Sequence, residues 1–210
     1  MPPPYCYDYP RPAVTVDLVT FALVGEGLRT LFIRRKHDPF AGRWALPGGF
    51  LEIDEPIELA ARRELREETG LDFRGPVSPI GVFGEPGRDP RGRTISVAFA
   101  AAIPGPVPEV SGGDDAADAA WLDPSRPLEL AFDHALILGA ALEWLRHEIA
   151  RGPIGLEILP GEFGDAEIKA LHRAVGNSTR TATAWRSRMN RGGHIVRAES
   201  ARVRYRRAGP

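Results

Sequence analysis

Cysteine is nearly absent, with Cys6 the only one in 210 residues. An internal disulfide or a cysteine-based zinc site is therefore excluded, and nothing calls for an oxidising compartment. Long apolar runs are missing as well, and none approaches the roughly 20 residues of a membrane-spanning helix. The opening MPPPYCYDYPRP has no basic segment followed by an apolar run, so no signal peptide is expected and a cytoplasmic setting is. No Ser-His-Asp or Cys-His arrangement stands out. Net charge is scarce at -1, but its distribution is uneven: residues 161–210 hold 11 Lys and Arg against 4 Asp and Glu, leaving 16 against 24 in residues 1–160. The chain is an acidic body with a basic tail. Its length accommodates one full domain and a small one, and 43% hydrophobic residues suffice for a core.

Acid is concentrated between Gly49 and Leu71, in GFLEIDEPIELAARRELREETGL. Pro56 reads as a first-turn proline and Gly70 as a left-handed stop, which predicts one helix over 56–69. At 100° per residue, Ile57, Ala60 and Ala61 share a stripe with Glu64, Glu67 and Glu68. Glu64 repels Glu67 and Glu68 at i,i+3 and i,i+4 spacing. A divalent cation would offset this, because clustered carboxylates suit hard ions such as Mg²⁺. The alternative is a solvated acidic face interleaved with Arg62, Arg63 and Arg66.

Gly49, five residues, Glu55, seven residues, Arg63-Glu64-Leu65, one residue, Glu67-Glu68, one residue, Gly70-Leu71: this pattern resembles the Nudix box, with every defining position present. The resemblance implies Glu64, Glu67 and Glu68 as metal ligands, with a carbonyl from the Gly48-Gly49 backbone. It implies Arg63 and Glu55 as braces of loop and helix. It also implies Mg²⁺ (or Mn²⁺) as cofactor and a nucleoside diphosphate linked to another group as substrate. Metal ions can bridge pyrophosphate oxygens and lower the pKa of an attacking water, so the carboxylates hold metal rather than attack.

Around the box, Ala13 to Val24 and Leu28 to Arg34 read as a hairpin across Gly25-Glu26-Gly27. The basic knot Arg34-Arg35-Lys36 is either a charged strand end or a phosphate contact, with Arg35 the substrate-binding candidate. Strands follow near Val77 to Phe83 and Thr94 to Ile103. Between them GEPGRDPRGR predicts an exposed loop bearing Arg88, Arg91 and Arg93, and it resembles a segment of the ADP-ribose pyrophosphatase branch. Asp114, Asp115, Asp118 and Glu85 are candidates for an additional acid. Asp133 is expected to cap a helix of roughly 134–150, with His134 and His147 at its surface or cap. The resemblance implies an α/β fold, the Nudix α/β/α sandwich, over residues 13–150, preceded by an extended segment 1–12 that Tyr5, Tyr7 and Tyr9 lay on the body.

Beyond a 151–162 linker, residues 163–210 read as a second unit. Asp165 is expected to cap a helix through Val175, and Thr181 to Asn190 forms a second helix with Arg186 and Arg188. A hairpin follows with Arg202 and Arg204 on its second strand, in outline a small C-terminal winged helix-turn-helix-like domain. Its arginines are placed to meet DNA phosphates; a basic tail aiding solubility is the alternative. With Leu159-Pro160 and Phe163, the unit resembles the Nudix-related transcriptional regulators of NAD metabolism, which implies DNA as a partner and a homodimer. Two functions stay open: a hydrolase of ADP-ribose or a nucleotide sugar, and a regulator that senses ADP-ribose.

Overall fold

A computed structural model describes residues 7–113, 115–198 and 204–208. Tyr5, Cys6, Asp114 and Arg202 lie outside the described residues. Alternating β-branched and apolar residues build the first strand, β1 (Ala13–Val24), which turns at Gly25 into β2 (Gly27–Arg35). Short strands β3 (Trp44–Ala45) and β4 (Gly48–Phe50) lead to helix α1 (Ile57–Thr69). Next come β5 (Val77–Phe83), β6 (Thr94–Ala102) and β7 (Ala116–Leu122). They join one mixed sheet in the order β3-β2-β1-β6-β5, with β4 paired to β1 and β7 to β2. Strand β1 runs parallel to β6 and antiparallel to β2 and β4.

Period-two alternation divides β1 between two cores. Val16, Leu18 and Ala22 face the layer of α1, where Ala60, Ala61 and Leu65 are buried against them. Val19 and Phe21 face the other side, covered by helix α2 (His134–Arg151) through Ile137, Leu138, Ala141 and Leu145. Ala98, Ala100 and Ala102 of β6 share that side. Pro56 stands at the helix N-cap of α1, and Gly70, at φ 74°, closes it with its N–H on the Arg66 carbonyl. Ile57 departs from the predicted inward stripe: it is partly exposed, because the apolar contact of α1 begins at Ala60.

The C-terminal residues continue the second core. Residues 155–158, within the expected linker, form the helical turn α3 (Gly155–Ile158), and Leu156, Ile158 and Leu159 are buried. After β8 (Glu162–Phe163) come α4 (Asp165–Ala174) and α5 (Thr179–Arg191), then β9 (Ile195–Arg197) and β10 (Tyr205–Arg207) in a three-stranded sheet ordered β8-β10-β9. Gly164, rather than Asp165, is the N-cap of α4, with Glu167 accepting its N–H at 3.0 Å. Trp185 of α5 is fully buried in the cluster that includes Phe21 and Phe32, and its indole N–H donates to the Gly152 carbonyl at 2.8 Å. Tyr7 and Tyr9 are exposed. No helix among the described residues is long and apolar enough to cross a membrane.

His172 of α4 is fully buried edge-on to Trp185, with centroids 5.5 Å apart, and neither ring nitrogen has a hydrogen-bond partner. Burial pushes its pKa down from 6.5 to about 4. The unfolded chain takes up the proton first, so this contribution to stability is complete above pH 6.5 and is lost as pH falls toward 4. Between pH 7 and 4.5 the wild type should lose on the order of 2–3 kcal/mol relative to His172→Leu. Chemical denaturation of both proteins across that range checks this.

Candidate active site

The acids of α1 open onto a cavity of about 750 Å³, a volume suited to a small-molecule ligand. Its wall includes Gly48, Gly49, Glu64, Glu67 and Glu68. Arg63 organises the charges. Its Nε and Nη2 donate to the two Glu55 oxygens at 3.0 and 2.6 Å, and Nη1 donates to Glu64 at 2.8 Å and Glu67 at 3.0 Å. Nη2 also donates to the Phe50 carbonyl at 3.1 Å, tying β4 to the helix. The Arg63 guanidinium holds Glu55 below the usual carboxylate range, and Glu55 in turn raises Arg63 above its own.

Glu68 accepts the Gly48 N–H at 2.9 Å and is almost wholly buried. Burial first, then the charges of Glu64 and Asp17, push it up to about 8 against the pull of Gly48 and Arg35. Burial likewise raises Glu64. The two glycines allow this crowding: a Cβ on Gly49 would lie 2.5 Å from the Glu64 carboxylate, and one on Gly48 2.2 Å from the Val16 carbonyl oxygen. Such an acid set fits a divalent ion. Among the described residues no three acid, histidine or cysteine side chains stand ready around one point, and Arg63 Nη1 bridges Glu64 and Glu67.

Below the carboxylates lies a polar floor. Asp17, buried in the middle of β1, accepts the Ser96 hydroxyl, faces His134 Nε2 at 3.3 Å and lies 3.7 Å from Arg88. His134 Nδ1 accepts the Leu46 N–H at 2.9 Å, which places its proton on Nε2, toward Asp17. Burial lowers the His134 pKa, against the opposing charge of Asp17. His134 is thus a buried part of the cavity rather than a surface or cap residue; His147 is exposed beside Glu143.

The loop arginines separate. Arg88 is buried, not exposed, with 4% of its side chain accessible, and it bonds both Asp133 oxygens at 2.9 and 2.6 Å. Asp133 therefore receives Arg88 instead of capping α2 through its side chain. Arg91 pairs with Asp89 at 2.7 Å and lines the cavity. Arg93 donates to the Gly84 carbonyl and lies outside the cavity wall. Arg35 donates to the Pro39 carbonyl at 2.8 Å and lines the cavity; burial and then the Arg91 charge lower its pKa. Of the described acids considered for an extra role, Asp115 is in the wall, near His37, whereas Asp118 bonds the Ala119 N–H and Glu85 stands outside.

Asp17, Asp89, Phe132 and His134 were not among the predicted site residues. Asp17 had a signal, a lone acid inside the apolar run AVTVDLVTFALV. Phe132 and His134 had none, because they enter the cavity only by the docking of α2 on the sheet.

The DNA-binding candidates Arg186, Arg188 and Arg204 have intramolecular partners. Arg186 bonds both Asp165 oxygens at 2.7 and 2.6 Å, Arg188 donates to the Ala150 and Arg151 carbonyls, and Arg204 pairs with Glu167 at 3.1 Å.

A mixed sheet between helical layers, with an acidic helix and a close-packed glycine turn facing one cavity, is the scaffold of a metal-assisted pyrophosphohydrolase. The chain belongs to the Nudix family: residues 13–145 match the NUDIX domain. Divalent metals are general to this family. The chain is 42% identical over 136 residues to the ADP-ribose pyrophosphatase of Methanocaldococcus jannaschii, covering 65% of this chain and 76% of that one. It is 29% identical over 199 residues to the ADPR responsive transcriptional repressor NtrR of Acinetobacter baylyi, covering 93% and 79%. A MutT/nudix family protein from Enterococcus faecalis superposes with a TM-score of 0.83 at 26% identity, over 97% of this chain and 89% of that one.

Gly48→Ala should destabilise the protein by about 1–3 kcal/mol, because the obstructing atom is backbone and cannot turn aside. Urea denaturation measures this, and an unchanged midpoint would refute the close-approach role of Gly48.

Proposed function

We propose that the protein is a Nudix pyrophosphohydrolase that hydrolyses ADP-ribose to AMP and ribose 5-phosphate, with Mg²⁺ or Mn²⁺ as its metal. The single observation that carries this reading is the intact acidic helix, braced by Arg63 and facing a nucleotide-sized cavity. The likeness to an archaeal ADP-ribose pyrophosphatase favours the substrate.

Glu64, Glu67 and Glu68, with the Gly48 carbonyl, would hold the metal, which when bound neutralises pyrophosphate charge and activates a water. Arg63 would leave Glu64 and Glu67 for that purpose while keeping Glu55, whose carboxylate anchors it by two bonds. Arg35 and Arg91, which line the same cavity, receive substrate phosphate charge. Arg88 acts one step removed, holding Asp133 and Asp17 in place. The predicted contact through Arg93 finds no support in its position.

A second reading, a DNA-binding regulator that senses ADP-ribose, is favoured by likeness to the repressor over 93% of the chain, C-terminal unit included. Arg188 stays exposed while one of its nitrogens bonds α2, and so remains a phosphate contact; Arg186 and Arg204 would have to leave their carboxylates. Exposed Arg180 and Arg191 on α5 join Arg188 in this reading. We include a homodimer in both readings, supported by the exposed apolar pair Ile53 and Leu59 and testable by light scattering.

Purified protein with Mg²⁺ or Mn²⁺ should release AMP from ADP-ribose, and Glu67→Gln should lower kcat/KM by on the order of 100-fold or more. Absence of turnover across a panel of nucleoside diphosphate derivatives would overturn the hydrolase reading. Binding to an operator fragment should weaken with salt and in Arg180→Glu/Arg191→Glu. Affinity indifferent to both would remove the regulator reading.

A further inference from the structure

Helix α2 begins at the cavity, and the residues at its start are bonded to the turn that carries the paired glycines. The Ala131 N–H donates to the Trp44 carbonyl at 2.8 Å, and the His134 ring accepts the Leu46 N–H at 2.9 Å. Pro47 is tied elsewhere, since its carbonyl accepts the Leu18 N–H of β1 at 2.9 Å. Gly48 pairs with Asp17 in the register of β1 with β4, and its N–H donates to Glu68 at 2.9 Å. Three consecutive residues, Leu46, Pro47 and Gly48, are therefore held in turn by α2, by β1 and by α1.

The first of these ties depends on one imidazole in one tautomer. Nδ1 accepts the Leu46 N–H only while it carries no proton, which leaves the ring proton on Nε2. Asp17 faces that nitrogen at 3.3 Å. Asp17 is itself fixed by the Ser96 hydroxyl and by Arg88, 3.7 Å away, and Arg88 bonds both oxygens of Asp133, the residue before His134. The contacts close into a ring that runs from His134 through Asp17, Arg88 and Asp133 back to His134, with Leu46 attached to it. Leu46 is buried, so loss of the imidazole would leave its N–H without an acceptor.

We infer that His134, oriented by Asp17, is a positioning residue that holds the Leu46-Pro47-Gly48 turn in place against Glu68. This rests on the hydrolase reading for the metal that Gly48 and Glu68 would hold. His134 acts through Leu46 and Gly48, because the Gly48 N–H is the hydrogen bond that orients the buried Glu68 carboxylate. A turn released from α2 would withdraw that N–H, and the carboxylate would lose its fixed orientation. Ile137, on the next turn of α2, packs in the apolar cluster and offers no polar atom from its side chain. The effect therefore belongs to the ring nitrogen rather than to the packing of the helix.

The test reads Mn²⁺ affinity of the full-length protein by electron paramagnetic resonance, without substrate. His134→Phe and the smaller His134→Leu, both lacking an acceptor, should bind Mn²⁺ about 10-fold more weakly than the wild type. His134→Asn carries an oxygen on the same carbon that bears Nδ1, and should keep the affinity within about 3-fold of wild type. Ile137→Val should leave it unchanged. Amide hydrogen exchange at Leu46 should be faster in His134→Leu than in His134→Asn. Wild-type affinity in the Phe and Leu variants would overturn the positioning role, as would an equal loss in His134→Asn or in Ile137→Val. A wild type that binds no Mn²⁺ overturns it together with the metal site. Affinity that follows His134 while no nucleoside diphosphate derivative is hydrolysed upholds the role and removes the hydrolase reading; turnover with affinity indifferent to His134 does the reverse.

Discussion

Three carboxylates at the end of one helix repel one another, and the Arg63 guanidinium compensates two of them, Glu64 and Glu67. It reaches Glu55 with two bonds and Glu64 and Glu67 with one nitrogen. Around this compensation the local structure is arranged. Gly48 and Gly49 bring the backbone against the acids, and Glu55 anchors the loop before the helix by accepting the Glu52 N–H. Glu68, deeper and outside the reach of Arg63's bonds, has one hydrogen bond, from the Gly48 N–H, and the charge of Arg35 to stabilise it. Desolvation then dominates, and its carboxyl is pushed up to about 8. A site of this kind is poised for a cation, since added positive charge stabilises every acid in it at once.

Helix α2 joins this site to the remainder of the chain. Its first residue, His134, sits in the cavity floor, between the Leu46 N–H and Asp17. Its last carbonyls accept Arg188. Between the two ends its apolar side shares a core with the sheet and with Trp185. The C-terminal unit is therefore docked through buried surface and backbone hydrogen bonds. Arg173, Arg188 and Arg207 contribute to that docking, Arg186 and Arg204 pair within the unit, and Arg180 and Arg191 stay exposed.

The cavity lining combines two chemistries: carboxylates, and Arg35 and Arg91 set over the rings of Phe50 and Phe132. The buried Arg88 shows that a loop rich in arginine does not by that fact direct each of them at a ligand: its charge is satisfied by Asp133 and Asp17 beneath the site.

Much of the architecture was legible because local rules carried it. Alternation marked β1 from Ala13 to Val24, Pro56 and Gly70 bounded α1, and helical spacing brought Glu64, Glu67 and Glu68 to one face. The glycine-to-glutamate spacing announced the family, because a backbone turn packed against a carboxylate needs those residue types at those intervals. Long-range contacts were not legible in this way. That Asp17, 51 residues from Glu68 in sequence, lies near enough to raise its pKa depends on the β1–β4 register. That Arg88 is buried, that His134 enters the cavity floor, and that Arg186 meets Asp165 depend on how α2 and the C-terminal helices dock. The sequence by itself determined the acidic helix and its need for compensating charge, since both follow from residues within a few turns of each other. Only the tertiary structure decided which arginines provide that charge, which face the cavity and which are used in packing, because a long cationic side chain bonds whichever acceptor the fold places within its reach.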